Sequence, residues 1–233
     1  MNILIMTGTI KPFVTIKYCD VNVRYQEYMK NIRKYIVKSE FDIIIFAENS
    51  GYKIGADIKK LEELAELNKK KFEYLDLFDE HSDNISVGDA LLIKRTLLKS
   101  KIIKEQKVDA IWKVSGRIWV RNINKILNKS KGKNVFLYAP KYDSIQTWLF
   151  KADKNDLQDV FLTDDAIELM KNSCIEYIFK EIYDRNKKKI EINRFGVYPD
   201  AEGINSSGGA YTMPRWKFHL KNVLLKMGYF TVR

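Results

Sequence analysis

The segment Asp109-Ala110-Ile111-Trp112-Lys113-Val114-Ser115-Gly116-Arg117 predicts how this chain folds and where it binds a ligand. Ala110 to Val114 is mostly apolar and rich in β-forming residues, which indicates a short buried strand. Ser115-Gly116 breaks that pattern, and Arg117 follows directly. In open α/β sheets, ligands bind just beyond the carboxyl ends of the strands. We therefore expect Lys113 and Arg117 to lie at such an edge and to bind a phosphate there.

Residue type alone leaves a simpler alternative open for these two cations. Lys113 would carry its ammonium group out to water on an aliphatic stem, and Arg117 would form an ordinary surface ion pair. The rest of the chain favours the phosphate-binding interpretation, because it predicts the kind of sheet at whose edge nucleotides bind.

The composition is that of a folded, basic protein. The chain has 233 residues, of which 45% are hydrophobic and 12% aromatic, enough to bury a sizeable core. Its formal net charge of +11 predicts an anionic partner, and nucleic acid, an acidic membrane surface and phosphate-bearing substrates are the candidate classes.

Sequence features also bear on cellular location. The two cysteines, Cys19 and Cys174, are far apart and lack metal-ligand spacing, as expected for reduced thiols in a cytosolic protein. No stretch approaches the apolar length of a membrane span, and Asn2 to Thr7 is too short for a signal peptide. We therefore expect a cytoplasmic protein, with peripheral contact at the inner face of the cytoplasmic membrane left open.

Strands and helices alternate along the first part of the chain. Apolar runs at Ile3 to Thr7, Phe41 to Ala47, Phe72 to Phe78 and Val135 to Ala139 predict buried strands, and amphipathic helices lie between them. This alternation predicts an α/β fold with a mostly parallel central sheet and helices on both faces.

The pattern changes after residue 140. Ser144 to Phe150 is typical of an antiparallel or edge strand, and Asp165 to Tyr183 of a helix that Asn172-Ser173 interrupts. Pro214 to Met227 predicts a basic amphipathic helix. We therefore expect a single domain, residues 1–233, with a nucleotide-binding half (1–140) and a more irregular, helical acceptor half (141–233).

Several common catalytic motifs are missing from the sequence. It contains no Gly-x-Gly-x-x-Gly, no phosphate-loop Gly-Lys-Ser/Thr and no Gly-x-Ser-x-Gly. Neither His81 nor His219 has a partner at metal-binding spacing. Asp-x-Asp, through which many sugar-nucleotide enzymes hold a divalent metal, is also absent.

Three segments resemble small bacterial glycosyltransferases of the GT-A type from surface-polysaccharide gene clusters. The first is Arg24-Tyr25 followed by the strand Phe41 to Ala47 and Glu48-Asn49-Ser50, and the second is Lys113-Val114-Ser115-Gly116-Arg117. The third is Ile175-Glu176, which opens a helix and precedes the Gly/Ser-rich turn within residues 203–211. These segments follow the order expected for the family and span most of the chain.

The resemblance implies a GT-A-like fold and an enzyme that transfers a sugar from a nucleotide-sugar donor. The acceptor would be a capsule or O-antigen unit, lipid-linked or oligosaccharide, and the donor is expected to be UDP-linked. No further cofactor is expected, and no metal, since Lys113 and Arg117 would supply the charge that stabilises the leaving diphosphate.

Donor-binding residues under this resemblance fall in the loops after the strands. Thr7-Gly8-Thr9 and Glu48-Asn49 are expected to contact uracil or ribose, with Arg24 nearby. Lys113 and Ser115-Gly116-Arg117 are expected to bind the diphosphate. Backbone N–H groups around Ser207 and Gly208 would close over it.

An inverting reaction needs a base for the acceptor hydroxyl. Glu176 is the first candidate because it lies at the predicted helix interruption, and Asp89 is the second. Structural alternatives stay open for each of these motifs. Glu176 would be a surface carboxylate, and residues 7–9 an ordinary turn. Residues 48–49 would be a helix N-cap region, and residues 206–209 a flexible loop.

The last helix has a further candidate role. Its basic residues, Arg215, Lys217, His219 and Lys221, would rest on anionic lipid beside a lipid-linked acceptor. The alternative is that its apolar side packs on the protein core.

Two rival functions belong to other classes. A non-enzymatic nucleic-acid-binding protein would fit the basic charge, but the basic residues are scattered and no known binding motif appears, so no nucleic acid is expected. A nucleotidyltransferase would share the fold but would normally need paired metal-binding acids.

Overall fold

A seven-stranded sheet organises the protein, and a separate two-stranded ribbon pairs Trp119–Val120 with Ala201–Glu202. The structure, a computed structural model, describes residues 1–13, 20–78, 81–204 and 209–232. Its strands are β1 (Ile3–Gly8), β2 (Ile43–Glu48), β3 (Lys71–Asp76), β4 (Ala110–Ser115), β5 (Trp119–Val120), β6 (Asn134–Ala139), β7 (Ser144–Asp153), β8 (Ile192–Arg194) and β9 (Ala201–Glu202).

The helices alternate with these strands through the first part of the chain and cluster in the second. They are α1 (Val21–Lys38), α2 (Asp57–Leu67), α3 (Ile85–Lys99), α4 (Lys101–Glu105), α5 (Ile123–Lys129), α6 (Lys154–Asp156), α7 (Asp164–Met170), α8 (Ile175–Asn186) and α9 (Arg215–Lys226). A π-helical turn, Leu157–Phe161, directly follows α6. Among the described residues, no helix is long and apolar enough to cross a membrane.

The sheet has the strand order β3-β2-β1-β4-β7-β6-β8. Strands β1 to β4 run parallel, β7 is antiparallel to both β4 and β6, and β8 is parallel to β6. This arrangement confirms the predicted α/β class with a mostly parallel sheet. The predicted strand after residue 140 is antiparallel and internal, so strands from residues 1–140 and 141–233 share one sheet.

Both faces of the sheet are covered. All residues of β1 and β2 are buried, as their uninterrupted apolar sequences predict. Leu4 and Trp112 pack on one face in a cluster with α1, whereas Ile5 and Ile111 pack on the other with α3, α7 and α8. Because side chains alternate across a strand, each central strand contributes to both cores.

Two predicted helical segments are each divided in the structure, and a side-chain cap accounts for the first division. The apolar pattern from Ser86 to about Gln106 predicts one helix, which divides at Ser100. Ser100 Oγ accepts a hydrogen bond from the Ile103 amide (3.1 Å) and caps the start of α4. The helix predicted over 165–183 divides around Asn172-Ser173 into α7 and α8. Its predicted interruption is therefore confirmed, and Glu176 lies in the first turn of α8.

Tyr35 links α1 to the chain that follows β4. Its ring is fully buried, and its hydroxyl donates to the Ile118 carbonyl (3.1 Å) and accepts from the Val120 amide (3.2 Å). Burial raises the pKa of Tyr35. Both backbone groups would lose their partner if this hydroxyl were removed.

We expect Tyr35→Phe to lower the free energy of unfolding by about 1–3 kcal/mol, because it leaves two buried backbone groups unsatisfied. Urea denaturation followed by circular dichroism measures the change. Tyr142→Phe is the matched control, since Tyr142 is largely exposed. Equal stability of the two variants would contradict this role of Tyr35.

Candidate active site

A cleft of about 540 Å³ opens at the carboxyl ends of β1 and β4. Its floor includes Thr7-Gly8-Thr9, at the end of β1, and the segment 115–118, at the end of β4. The chain runs from β1 outward to β2 and β3, then returns to place β4 on the other side of β1. The cleft therefore lies at the point of the sheet where the strand order reverses, where α/β proteins bind ligands.

Two glycines bring the floor loops into close contact with Tyr28 of α1. A Cβ at Gly116 would lie 2.9 Å from Tyr28 Cδ1, and a Cβ at Gly8 would lie 2.6 Å from Phe46 Cε2 and 3.0 Å from Tyr28 Cε1. The Gly116 amide also donates to the Thr7 carbonyl (2.8 Å). Any larger residue at either glycine would force the floor apart.

Arg24 holds the loop after β1 and lines the cleft. Its guanidinium is buried and donates through Nε to the carbonyl oxygens of Thr9 (3.0 Å) and Ile10 (3.2 Å). The Thr9 amide in turn donates to the Tyr28 hydroxyl (3.0 Å). Burial lowers the pKa of Arg24, although an arginine stays charged across the physiological range.

Arg117 lies on the β4 side of the same floor. Its Nη1 atom is 3.3 Å from Glu27 Oε2, and its Nη2 donates to the Ile204 carbonyl (3.0 Å). Gly203 has a φ of +140° and packs so closely on Arg117 that a Cβ there would be 2.5 Å from the Arg117 carbonyl oxygen. Arg117 is therefore held in one orientation at the cleft by α1 and by the chain after β9.

Asp89 of α3 lines the cleft, and Lys113 is not among the described lining residues. The Lys113 side chain is 1% exposed, and its Nζ donates to Asp89 Oδ2 (2.7 Å) and to the Thr147 carbonyl (3.0 Å). The alternative in which this ammonium group reaches water is therefore wrong. Direct contact between Lys113 and a phosphate stays a prediction.

Glu176 lines another wall of the cleft with two aromatic residues. Its Oε1 accepts a hydrogen bond from Thr147 Oγ1 (3.0 Å). The Tyr211 ring lies 4.9 Å from the Trp148 ring, centroid to centroid. Burial, and to a smaller extent the charge of Glu176, raise the pKa of Tyr211, which places this hydroxyl in the electrostatic reach of the carboxylate.

The predicted pair Glu48-Asn49 divides between the core and the cleft. Glu48 is fully buried, and its Oε1 accepts from the amides of Ile10 and Ser50, each at 2.9 Å. Asn49 lines the cleft and accepts from Thr9 Oγ1 (2.7 Å) through its Oδ1. The helix N-cap alternative is wrong, since α2 begins only at Asp57. Glu48 thus shapes the loop after β1, and Asn49 is the member of the pair that a ligand could touch.

Most predicted site residues come together in this cleft. Those that line it are Thr7, Gly8, Thr9, Arg24, Asn49, Asp89, Ser115, Gly116, Arg117 and Glu176. Ser207 and Gly208 lie outside the described residues. In the described part of the chain, no group of three or more His, Cys, Asp or Glu side chains is placed to hold a metal ion.

The sequence interpretation missed the aromatic part of the site. Tyr28, Trp148 and Tyr211 all line the cleft. The sequence pattern indicated only that Tyr28 belongs to the apolar stripe of helix α1. No sequence pattern indicated that Trp148 and Tyr211 belong to the site, because their contact depends on how β7 and the chain before α9 pack together.

No family model matches this sequence, and no curated protein matches it either. Among solved structures, the chain is similar to 4-diphosphocytidyl-2C-methyl-D-erythritol synthase from Anaerococcus prevotii DSM 20548, with 14% identity and a TM-score of 0.46 over 97% of this chain and 96% of that one. It is also similar to the galactosyltransferase LgtC, solved with donor and acceptor sugar analogs, with 11% identity and a TM-score of 0.45 over 86% of this chain and 68% of that one. At these scores the similarities carry no weight for the function.

The Lys113–Asp89 pair predicts an asymmetric response to mutation. Asp89→Asn leaves a buried ammonium group without its counter-charge and should cost about 3 kcal/mol or more of unfolding free energy. Lys113→Met should cost less, because the Asp89 side chain is 24% exposed and water can solvate it. Chemical denaturation measures both variants, and the double variant should regain most of the loss. Equal costs would contradict the asymmetry.

The buried carboxyl group of Glu48 should make the free energy of unfolding depend on pH. Burial raises its pKa above the ordinary value, while hydrogen bonds from Ser50 and Ile10 oppose the shift. A carboxyl group whose pKa is higher in the folded than in the unfolded protein contributes stability when it is protonated. That contribution is fully present below the unfolded-state pKa and is lost as pH rises through the folded-state pKa.

We therefore expect Glu48→Gln to gain stability relative to the unmodified protein as pH rises through that window. Urea unfolding at a series of pH values measures the difference. Glu62→Gln, on the exposed side of α2, is the control and should track the unmodified protein. A pH-independent difference for Glu48→Gln would contradict the prediction.

Proposed function

We propose that the protein is a glycosyltransferase that uses a nucleotide-sugar donor. The observation that carries the proposal is the cleft at the strand-order reversal, where fixed guanidinium groups and half-buried carboxylates line the same space. Cations suit a leaving diphosphate, and a carboxylate suits deprotonation of an acceptor hydroxyl.

The donor diphosphate would bind on the floor between the two glycine loops. Arg117 would face its oxygens, with Arg24 beside the loop after β1 and no side chain at Gly8 or Gly116 to fill the space. Glu27 and the Ile204 carbonyl already orient Arg117. A cation that is fixed before the reaction needs no reorganisation when charge develops on the leaving group, so it can lower the barrier without a metal.

The acceptor would enter beside Glu176. This carboxylate is oriented by Thr147, whereas Asp89, the second candidate base, is neutralised by Lys113. Glu176 is therefore the better base for the acceptor hydroxyl. Trp148 and Tyr211 offer flat apolar surfaces on which the C–H face of a sugar ring could lie.

The finer substrate assignment rests on the resemblance of the three sequence segments to GT-A enzymes of surface-polysaccharide clusters. It favours a UDP-linked donor and a growing capsule or O-antigen unit as acceptor. Asn49 and Thr9, which hydrogen-bond to each other at the cleft, would contact the uridine.

The test measures release of the nucleotide leaving group (UDP, GDP or CMP) from a panel of UDP-, GDP- and CMP-linked sugars, with and without oligosaccharide acceptors and with and without EDTA. We expect release from one UDP-sugar, unaffected by EDTA. Arg117→Lys should lower turnover about 10²–10³-fold, because lysine keeps the charge but loses the planar fork of donors. Arg121→Lys is the matched control, since Arg121 pairs with Asp200 instead of lining the cleft.

Glu176→Gln separates the two halves of the proposal in the same assay. Donor binding, measured by calorimetry, should be retained, while transfer to the acceptor should fall by about 10²-fold or more. Release of pyrophosphate from a nucleoside triphosphate and a sugar phosphate would identify a nucleotidyltransferase instead. Stabilisation by oligonucleotides alone would overturn the enzymatic proposal.

A further inference from the structure

Helix α9 presents an apolar stripe to solvent. Trp216, Leu220, Val223 and Met227, at its C-cap, are 63%, 50%, 54% and 76% exposed. Their spacing of four, three and four residues places all of them on one side of the helix. A contiguous exposed apolar surface of this kind is uncommon on a protein that meets only water.

The opposite side of α9 is firmly attached to the domain. Leu225 is buried in the core, and Asn222 Oδ1 accepts a hydrogen bond from the Tyr198 amide (3.0 Å). Arg194 Nη1 donates to the last carbonyls of the helix, those of Leu225 (2.9 Å) and Lys226 (3.1 Å). The other face of α9 packs on the core through Leu225, with Phe218 and Leu224 against the same cluster, so the core-packing alternative holds for that face and the stripe points outward.

The charge around the stripe is positive. The twelve residues of α9 contain no Asp or Glu. Lys217 flanks the stripe on one side, and Arg215 and Lys226 flank it on the other, all of them exposed. Cations beside an exposed apolar stripe are complementary to a surface whose outer layer is anionic and whose interior is apolar.

We propose that α9 is a membrane-docking helix that lies in the plane of an anionic lipid surface. The apolar stripe would enter the boundary between headgroups and acyl chains, and the flanking cations would contact lipid phosphates. The net charge of +11 favours the same partner. This inference is independent of the proposed enzymatic activity, because none of the residues that carry it lines the cleft.

The experiment measures binding of the full-length protein to vesicles by co-sedimentation. Vesicles of phosphatidylcholine with phosphatidylglycerol should bind the protein, with affinity falling as salt is added, and vesicles of pure phosphatidylcholine should bind it much more weakly. The variant Trp216→Ser/Leu220→Ser/Val223→Ser should bind about tenfold less or weaker still, because three apolar side chains no longer enter the bilayer.

The matched control replaces three exposed apolar residues elsewhere, Val23→Ser/Val37→Ser/Leu67→Ser, and should bind as the unmodified protein does. Lys217→Glu/Lys226→Glu should also lose binding to anionic vesicles, whereas Lys187→Glu/Lys188→Glu should not. Circular dichroism and melting temperature establish that each variant is folded.

Tryptophan fluorescence gives a second readout. Trp112 and Trp119 are buried and Trp148 is half-buried, so Trp216 is the exposed tryptophan. Lipids brominated on their acyl chains should quench it on binding, and Trp216→Phe should abolish that quenching. The proposal is overturned if anionic vesicles do not bind, if neutral vesicles bind equally, if the stripe variant binds normally, or if the stripe instead mediates self-association in light scattering.

Discussion

The cleft depends on the close packing of Tyr28 against the two loops that follow β1 and β4. Gly8 and Gly116 have no side chain, and this allows both loops to approach the ring. The Tyr28 hydroxyl also accepts a hydrogen bond from the Thr9 amide. One residue of α1 therefore positions both loops that form the floor of the cleft. Arg24 lies one helical turn earlier and holds the same loop. The position of α1 on the sheet therefore determines the shape of the site.

Paired charges give the site its electrostatic character. Arg117 has Glu27 beside it, and Lys113 has Asp89. Removing water from a charge is costly, and a counter-charge at hydrogen-bond distance offsets that cost. The pairs keep the cations in fixed orientations, at the expense of part of their positive potential. Much of the net charge of +11 must therefore act elsewhere, and α9 is one surface where cations lie unaccompanied by acids of the same helix.

Local sequence was sufficient for features that depend on neighbouring residues. The buried parallel strands follow from uninterrupted apolar runs such as Ile3 to Thr7, and the break between α7 and α8 follows from Asn172-Ser173. The gathering of residues 7–9 and 115–117 in one cleft followed from a rule of topology, because parallel strands bring their carboxyl ends to one edge. The expectation that Arg24 lies nearby came instead from the resemblance to GT-A enzymes. Local sequence could not predict which individual side chains are exposed, because it does not encode exposure.

The sequence by itself determined the α/β class, the edge of the sheet where the cleft lies, and the amphipathic character of α9, since periodicity and strand order carry that information. Only the tertiary structure decided that Lys113 is buried against Asp89 while Asp89 and Arg117 line the cleft, that Glu48 is a buried support, and that Trp148 contacts Tyr211. It also decided which side of α9 faces outward. The physical reason is that burial and pairing depend on elements distant in sequence, whose packing no local pattern records.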